Sequence, residues 1–262
     1  MNERSNAQLS AMPPQQRNEI VRGALETMIG WKAPGLGDLV EEGEGRTQLS
    51  YGWKTKWQVL DKRSGQVVPA ITLVPLIDPR GEVWEICVFV SRNGISDYFN
   101  EEGLPIDVIE KSLSAKKSVV ILDLHGHGGE HPLDKAPLVV SGNGREPWHH
   151  SLAYTYGYNL TVFAQRVHGL LMVLTKMEEV ASAQGLKLTL YGMKGGAPYA
   201  AAARALLGDA VDKMVVDTEG FRFANITSFD DVDMLPGIVK YGDLPAILAL
   251  SDPETTEVRG EE

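Results

Sequence analysis

The stretch LKLTLYGMKGGAPYAAAARALL, residues 186–207, decides the fold prediction for this chain. Its first six residues have the pattern of a buried strand, and its last ten form an alanine-rich helical pattern. Gly195 and Gly196 lie between them, where glycine permits a strained turn and lets a helix pack close to a sheet. The stretch therefore predicts a buried strand that turns sharply into a helix.

A sharp strand–turn–helix corner is the setting of a nucleophile elbow, in which the serine of G-x-S-x-G occupies the apex. Aligning the last glycine of that motif with Gly195 places Tyr191 first, Met193 at the apex and Lys194 directly after it. A methionine thioether has no proton to lose and forms no acyl-enzyme ester. On this stretch alone, a packing turn in another α/β fold is an equally good interpretation.

Short apolar runs alternate with helical patterns on both sides of this corner. Strands are predicted at residues 51–60, 67–76, 83–90, 118–124, 186–191 and 211–217, and helices at 18–29, 107–113, 159–183 and 198–207. Such alternation predicts a doubly wound α/β architecture, with a mostly parallel sheet covered on both faces. The first two strands form a predicted antiparallel hairpin at the sheet edge. Functional loops are expected at the carboxyl ends of the parallel strands.

The chain is predicted to divide at residue 46. Residues 1–46 are expected to form a polar N-terminal extension with one short helix, and residues 47–262 the α/β domain. Residues 1–17 are polar and contain a proline pair, which favours a loosely attached segment. Residues 33–46 are rich in glycine and glutamate and predict a linker or exposed loop.

Composition excludes several classes of protein. The 262 residues include 25 Lys and Arg against 35 Asp and Glu, a formal net charge of −10, which argues against a nucleic-acid partner. The single cysteine, Cys87, excludes a disulfide framework and a cysteine-based zinc site. No apolar run reaches the ~18 residues of a membrane helix, and the N-terminus has no secretory signal. We therefore expect no membrane segment and a cytoplasmic location.

A histidine-rich loop, HGHGGEH, follows the predicted strand at 118–124. The spacing of His125, His127 and His131 is similar to the zinc motif H-x-H-x-D-H of metallo-β-lactamases, with one residue inserted and Glu130 in place of aspartate. Imidazole and carboxylate groups are suitable zinc ligands. A metal site on this loop is an alternative hypothesis; the main interpretation requires neither a metal nor another cofactor.

The segment MLPGIVKYGDLPAILALSDPE, residues 234–254, carries the most specific signal. Its Leu-Pro-Gly turn, Lys-Tyr-x-Asp-Leu-Pro sequence and short apolar helix resemble α/β-hydrolases of the acetyl xylan esterase and dienelactone hydrolase branch. The sequence at 123–128 is similar to their D-x-R-G-x-G loop, with His125 in the arginine place. Residues 165–174 and 88–94 resemble the helix before their elbow strand and their oxyanion-loop strand. The matches follow the family's order over residues 50–262.

This resemblance implies an α/β-hydrolase fold and carboxylic-ester hydrolysis by a Ser–His–Asp triad, but the chain departs from the family at the triad. Met193 stands at the nucleophile position. The strand expected to precede the family's acid, residues 254–259, is polar, and the sequence stops where the acid and histidine would follow. The resemblance therefore implies a degenerate elbow in a truncated domain that lacks its last core strands. Asp217 and Glu219 are candidate replacements for the acid, although a strand-end turn also explains Asp217.

We thus expect an acetyl xylan esterase-like protein without Ser–His–Asp hydrolysis. Backbone N–H groups of Lys194 and of Arg92, Asn93 and Gly94 are expected to form an anion-binding corner for a small acyl- or carbohydrate-like ligand. Four histidines are candidates for the rim of this pocket: His125, His127, His149 and His150.

Three alternatives stay open. The chain is an active carboxylic-ester hydrolase if Asp217 or Glu219 acts with His125 or His127. It is a metal-dependent hydrolase if the histidine loop binds a metal ion. It is an accessory domain if its exposed sheet edge contacts a further domain or protomer, because an open edge is a template for pairing.

Overall fold

A mixed eight-stranded sheet organises the computed structural model, which describes residues 2–30, 35–76, 83–127, 133 and 159–261. The strands in this part of the chain are β1 (Leu39–Leu49), β2 (Gly52–Asp61), β3 (Val67–Pro75), β4 (Glu85–Val90), β5 (Ser118–Leu122), β6 (Lys187–Gly192), β7 (Lys213–Asp217) and β8 (Thr256–Arg259). Their spatial order is β1-β2-β3-β5-β4-β6-β7-β8. Pairing is antiparallel from β1 through β3 to β5 and parallel from β5 to β8. The predicted mostly parallel sheet with antiparallel N-terminal strands is confirmed.

Helices connect and cover these strands. They are α1 (Asn2–Ser10), α2 (Pro14–Ile29), α3 (Asp107–Ser114), α4 (Val162–Gln184), α5 (Ala197–Leu207) and α6 (Asp243–Leu248). The long helix α4 begins where the Thr161 hydroxyl accepts a hydrogen bond from Ala164, and it ends at Gly185 in the left-handed conformation. In the described chain, no helix combines the length and apolar composition that crossing a membrane requires.

The two faces of the sheet carry separate apolar clusters. Helices α4 and α5 pack on one face, where the four consecutive alanines at 200–203 are fully buried and allow close approach of the helix. The other face packs Phe89 and Tyr98 together with α3. Cys87 belongs to this second cluster, and burial raises the pKa of its thiol to about 12. The thiol is therefore a protonated core group at neutral pH.

The N-terminal region is more ordered than its composition predicts. Residues 39–46, within the expected linker, form most of β1, which pairs with β2 along its length apart from a bulge between Gly43 and Arg46. The side chains of β1 are mostly exposed, so the strand lacks the apolar alternation that identifies a half-buried strand. β1 runs through residue 46, and the division of the chain at that point stays a prediction.

The first helices also extend further than predicted. α1 lies within residues 1–17, for which we expected a loosely attached segment, and α2 begins at Pro14. α2 buries Val21, Leu25 and Ile29 completely or almost completely. These three side chains anchor α2 to the domain, since Leu25 and Ile29 belong to the apolar cluster under α4 and α5.

Candidate functional site

The turn from β6 into α5, which we call the elbow (residues 192–196), closes within a few residues. Met193 donates its N–H to the Val90 carbonyl across 3.1 Å, and Gly196 donates to the Met193 carbonyl across 2.9 Å. Lys194 has a φ of 50° and Gly195 a φ of 76°. The left-handed conformation costs a lysine roughly 1–2 kcal/mol relative to the right-handed one, so the elbow holds a strained backbone at Lys194.

Two glycines of the elbow are required by close contacts. A Cβ on Gly196 would lie 2.1 Å from the Val90 carbonyl oxygen, and a Cβ on Gly192 would lie 2.6 Å from the Cβ of Ala200. Neither position has room for a side chain. Lys194 lies midway between these two required glycines, so the backbone places Lys194 at the apex of the elbow. The alignment on Gly195 places Met193, one residue earlier, at the apex.

Two backbone N–H groups of the elbow have no hydrogen-bond partner in the described chain. Neither the Lys194 N–H nor the Gly195 N–H has an acceptor among the residues that the structure describes. The Lys194 side chain is exposed, and the elbow leads directly into the N-terminus of α5. Two N–H groups, an ammonium group and a helix N-terminus favour an anion or a polarised carbonyl oxygen at this position.

The loop after β4 uses the backbone N–H groups of Arg92, Asn93 and Gly94 in hydrogen bonds within the described chain. Arg92 donates its N–H to the Lys194 carbonyl across 3.0 Å. Asn93 donates its N–H to the Asp97 carboxylate across 3.2 Å, and Gly94 donates to the Ser91 hydroxyl across 3.0 Å. The expected anion-binding role of this loop would require these bonds to break. The loop instead supports the elbow.

Asp123 and His127 lie against the same β4 loop. Asp123 accepts a hydrogen bond from the Ile95 N–H across 2.8 Å, and a Cβ on Gly94 would lie 2.0 Å from the Asp123 carboxylate and 3.0 Å from Nδ1 of His127. Burial raises the pKa of Asp123. The β4 loop, Asp123 and His127 thus come together at the carboxyl ends of β4 and β5.

His127 is a neutral, buried imidazole. Its Nδ1 accepts the Leu124 N–H across 3.1 Å, so the proton of the neutral ring lies on Nε2. Nε2 is buried and has no partner in the described chain. Burial, reinforced by the positive charge of Arg166, lowers the pKa of His127 to about 3, and the same two causes lower the pKa of His125.

Of the three histidines predicted to bind a metal, the described chain includes His125 and His127. Within the described ranges, no group of three His, Cys, Asp or Glu side chains is placed to hold a metal ion. His131, His149 and His150 lie outside the described residues, so their predicted roles stay predictions. The Arg166 charge acts on His125 and His127, which disfavours a cation there.

A buried polar network that the sequence analysis missed joins the elbow region to α4 and to the loop before α6. Arg166 donates to the Tyr199 hydroxyl across 2.6 Å, and that hydroxyl donates to the Asp233 carboxylate. Arg92 reaches the same carboxylate across 3.1 Å, and the Arg166 side chain also donates to the His125 carbonyl across 3.0 Å. The network therefore links five segments: the β4 loop, the segment after β5, α4, α5 and the loop before α6.

Burial has the largest effect on the pKa of Asp233, the carboxylate at the centre of this network. Asp233 and Arg166 are each exposed by 2% or less. Burial raises the pKa of Asp233, while the Tyr199 hydroxyl and the two arginines act in the opposite direction. An arginine within an otherwise apolar helix stripe is the sequence signal that could have revealed the network, because a buried charge requires a partner.

The two candidate acids lie in a turn at the end of β7. The Asp217 carboxylate accepts the Glu219 N–H across 3.1 Å, and Glu219 has a φ of 49°. A Cβ on Gly260 would lie 2.4 Å from the Asp217 carboxylate. Among the described residues, no hydrogen bond joins either acid to Lys194 or to a histidine. This geometry accounts for Asp217 as a turn residue.

A cleft lined by charged, amide and apolar side chains lies beside the β4 loop. It has a volume of about 530 Å³ and opens on β1, β2 and β3 next to Ile95. Its charged and amide side chains are Glu42, Glu44, Lys54, Lys56 and Gln58. Ile95 of the cleft and Met193 of the elbow pack on the same apolar cluster.

Comparison with known proteins gives matches among solved structures only. No family model and no curated protein sequence matches the chain. A protein from Bacteroides fragilis provisionally named an acetyl xylan esterase superposes with a TM-score of 0.66 at 11% identity, over 95% of this chain and 76% of that one. A glucuronoyl esterase from Solibacter usitatus superposes with a TM-score of 0.54 at 13% identity, over 90% of this chain and 72% of that one. The chain therefore has the α/β-hydrolase-like fold of these esterases.

Proposed function

We propose that this protein binds a small acyl- or carbohydrate-like ligand at the elbow without Ser–His–Asp hydrolysis. One observation carries the proposal: the chain forms the strand–turn–helix corner of an elbow, but neither Met193 nor Lys194 has the hydroxyl or thiol that forms an acyl-enzyme ester. The alignment and the backbone place different residues at the apex, and both placements lead to the same conclusion.

The donors at the elbow suit an acyl ligand. With Met193 at the apex the next residue is Lys194, and with Lys194 at the apex it is Gly195; an esterase elbow uses the N–H of that next residue in its oxyanion hole. A free N–H at this position suits a carboxylate or a carbonyl oxygen. The ammonium group of Lys194 adds a positive charge. A ligand that carries a carboxylate or an ester therefore fits this position.

The cleft beside the β4 loop suits the other part of such a ligand. Its carboxylate, ammonium and amide groups are donors and acceptors for hydroxyl groups. The structural neighbours named acetyl xylan esterase and glucuronoyl esterase support the same ligand class. We therefore place an acyl group at the elbow and a sugar-like portion toward Ile95 and the cleft.

Binding and turnover are tested separately. Protein labelled with ¹⁵N-glycine is titrated with acetate, and we expect a saturable shift of the Gly195 amide signal that Lys194→Ala weakens at least several-fold. Lys240→Ala, which removes an exposed lysine elsewhere, should leave the titration unchanged. Hydrolysis of p-nitrophenyl acetate should not exceed the protein-free rate. Turnover at the elbow, or labelling of residues 191–196 by a fluorophosphonate, would contradict the proposal.

A further inference from the structure

Among the described strands, β8 is the last in the spatial order of the sheet. Met214 donates its N–H to the Thr255 carbonyl, and Thr218 donates to the Arg259 carbonyl, each across 2.9 Å. Since backbone groups alternate in direction along an extended strand, those of Thr256 and Val258 point away from β7. They have no backbone partner within the described ranges.

The exposed edge combines one apolar residue with two opposite charges. Val258 is 39% exposed. Glu257 and Arg259 share the opposite face of β8, where Arg259 contacts Glu257 at 2.5 Å and Lys213 of β7 contacts Glu257 at 3.6 Å. Asp217 of β7 is the register partner of Arg259. Each charge on the edge strand thus has an opposite charge beside it on β7.

We propose that this edge pairs with the same edge of a second copy of the chain, antiparallel, about a two-fold axis through Val258. The two Val258 residues then exchange two N–H···O bonds, as a hydrogen-bonded antiparallel pair does. Glu257 falls opposite Arg259 of the second copy, and the reverse pair forms by symmetry. Across the junction the charges alternate through Asp217, Arg259 and the second copy's Glu257.

The charges select this register. A symmetric register centred on Glu257 sets two glutamates opposite each other, and one centred on Arg259 sets two arginines opposite each other. Like charges directly opposite are destabilising, whereas opposite charges contribute roughly 0.2–1 kcal/mol per pair. Only the axis at Val258 pairs opposite charges among these three positions.

The occupant is a second copy because the edge is complementary to itself. The negative side chain lies on one side of the centre of the edge and the positive side chain on the other. When two copies meet about a two-fold axis, each negative side chain faces the positive side chain of the other copy, so the edge is complementary to itself, as an isologous interface requires. The paired edge is short, and the chain has a net charge of −10, which opposes association at long range. The dimer should therefore be weak and depend on protein concentration.

A charge-swap experiment by sedimentation velocity tests the interface. Wild-type protein should shift from monomer to dimer as its concentration rises. Glu257→Arg and Arg259→Glu should each remain monomeric, because each places like charges opposite one another. An equimolar mixture of the two variants should form dimers again, since every cross-strand pair then joins opposite charges. Lys240→Glu changes the net charge as much as Arg259→Glu does and should dimerise like the wild type.

Hydrogen exchange supplies the second measurement and confirms that each variant is folded. The Glu257 amide, which points toward β7, should stay protected in every variant, whereas the Val258 amide should gain protection only where dimers form. A wild type that is monomeric at every concentration overturns the proposal. Single variants that dimerise, or a mixture that does not, overturn it as well. Lys194→Ala should leave dimerisation unchanged, so failure here is distinct from failure of the proposed ligand site.

Discussion

Arg92 donates its backbone N–H to the carbonyl oxygen of Lys194 across 3.0 Å, which ties the β4 loop to the strained residue of the elbow. The guanidinium of the same arginine reaches the buried Asp233 carboxylate at 3.1 Å. A single residue thus connects the elbow to the polar network of Arg166 and Tyr199. Strained backbone persists only where its surroundings fix it, and Arg92 supplies part of that constraint.

The strain at Lys194 predicts a stabilising substitution. Lys194→Gly should raise the free energy of unfolding by roughly 1 kcal/mol, because glycine adopts a positive φ without the steric cost that lysine bears. Lys194→Ala retains the Cβ and should give no such gain. Urea unfolding of the three proteins checks this expectation. Equal stabilities for the glycine and alanine variants would show that the φ of 50° carries no strain.

The close contact at Gly196 predicts a severe defect. The Cβ in Gly196→Ala would lie 2.1 Å from the Val90 carbonyl oxygen, so the elbow or β4 must move. We expect a loss of several kcal/mol in the free energy of unfolding, as for other overpacked sites. Gly23→Ala is the matched control, since its Cβ meets nothing within 4 Å and lies within α2. The control should gain about 0.5–1 kcal/mol from helix propensity. Comparable effects at both positions would refute the steric argument.

The buried network predicts unequal costs for two tyrosine hydroxyls. Tyr199→Phe removes the hydroxyl that joins Arg166 to Asp233 and should cost about 2–3 kcal/mol, the range for hydrogen bonds to charged groups. Tyr98→Phe removes a buried hydrogen bond to the neutral Val90 carbonyl and should cost about 1 kcal/mol. Thermal and urea unfolding of both variants give the comparison. A smaller cost at Tyr199 than at Tyr98 would mean that the network contributes little to stability.

Local signals made the centre of the fold predictable. The strand, glycines and alanine-rich helix at 186–207 are consecutive, so their pattern identifies the β6–α5 corner without knowledge of distant contacts. β1 was missed because its exposed, glutamate-rich face has no apolar alternation. Its partner β2 stabilises it through backbone pairing, which leaves no trace in side-chain periodicity.

The site was only partly predictable because its geometry depends on contacts between distant segments. Gly192 and Gly196 have the same spacing as the glycines of the motif, so the sequence permitted a second alignment with Lys194 at the apex. Steric contacts of those glycines with Val90 and Ala200 favour that second alignment. Asp233 is far from its partners in the chain, and only the fold brings it to them.

The buried imidazole of His127 predicts a loss of stability in mild acid. Its pKa falls from 6.5 to about 3 in the folded protein, because burial and the Arg166 charge oppose protonation. The unfolded chain binds this proton first, so the stabilisation is complete above pH 6.5 and is lost progressively as the pH falls toward 3. Between pH 6.5 and pH 5 the loss from this group is at most about 2 kcal/mol, at 1.36 kcal/mol per pKa unit.

His127→Asn keeps an acceptor for the Leu124 N–H but does not titrate. Urea unfolding at pH 7 and pH 5 should show a smaller decline in the free energy of unfolding for the variant than for the wild type. Other groups titrate equally in both proteins, so equal declines would place His127 in a solvated environment.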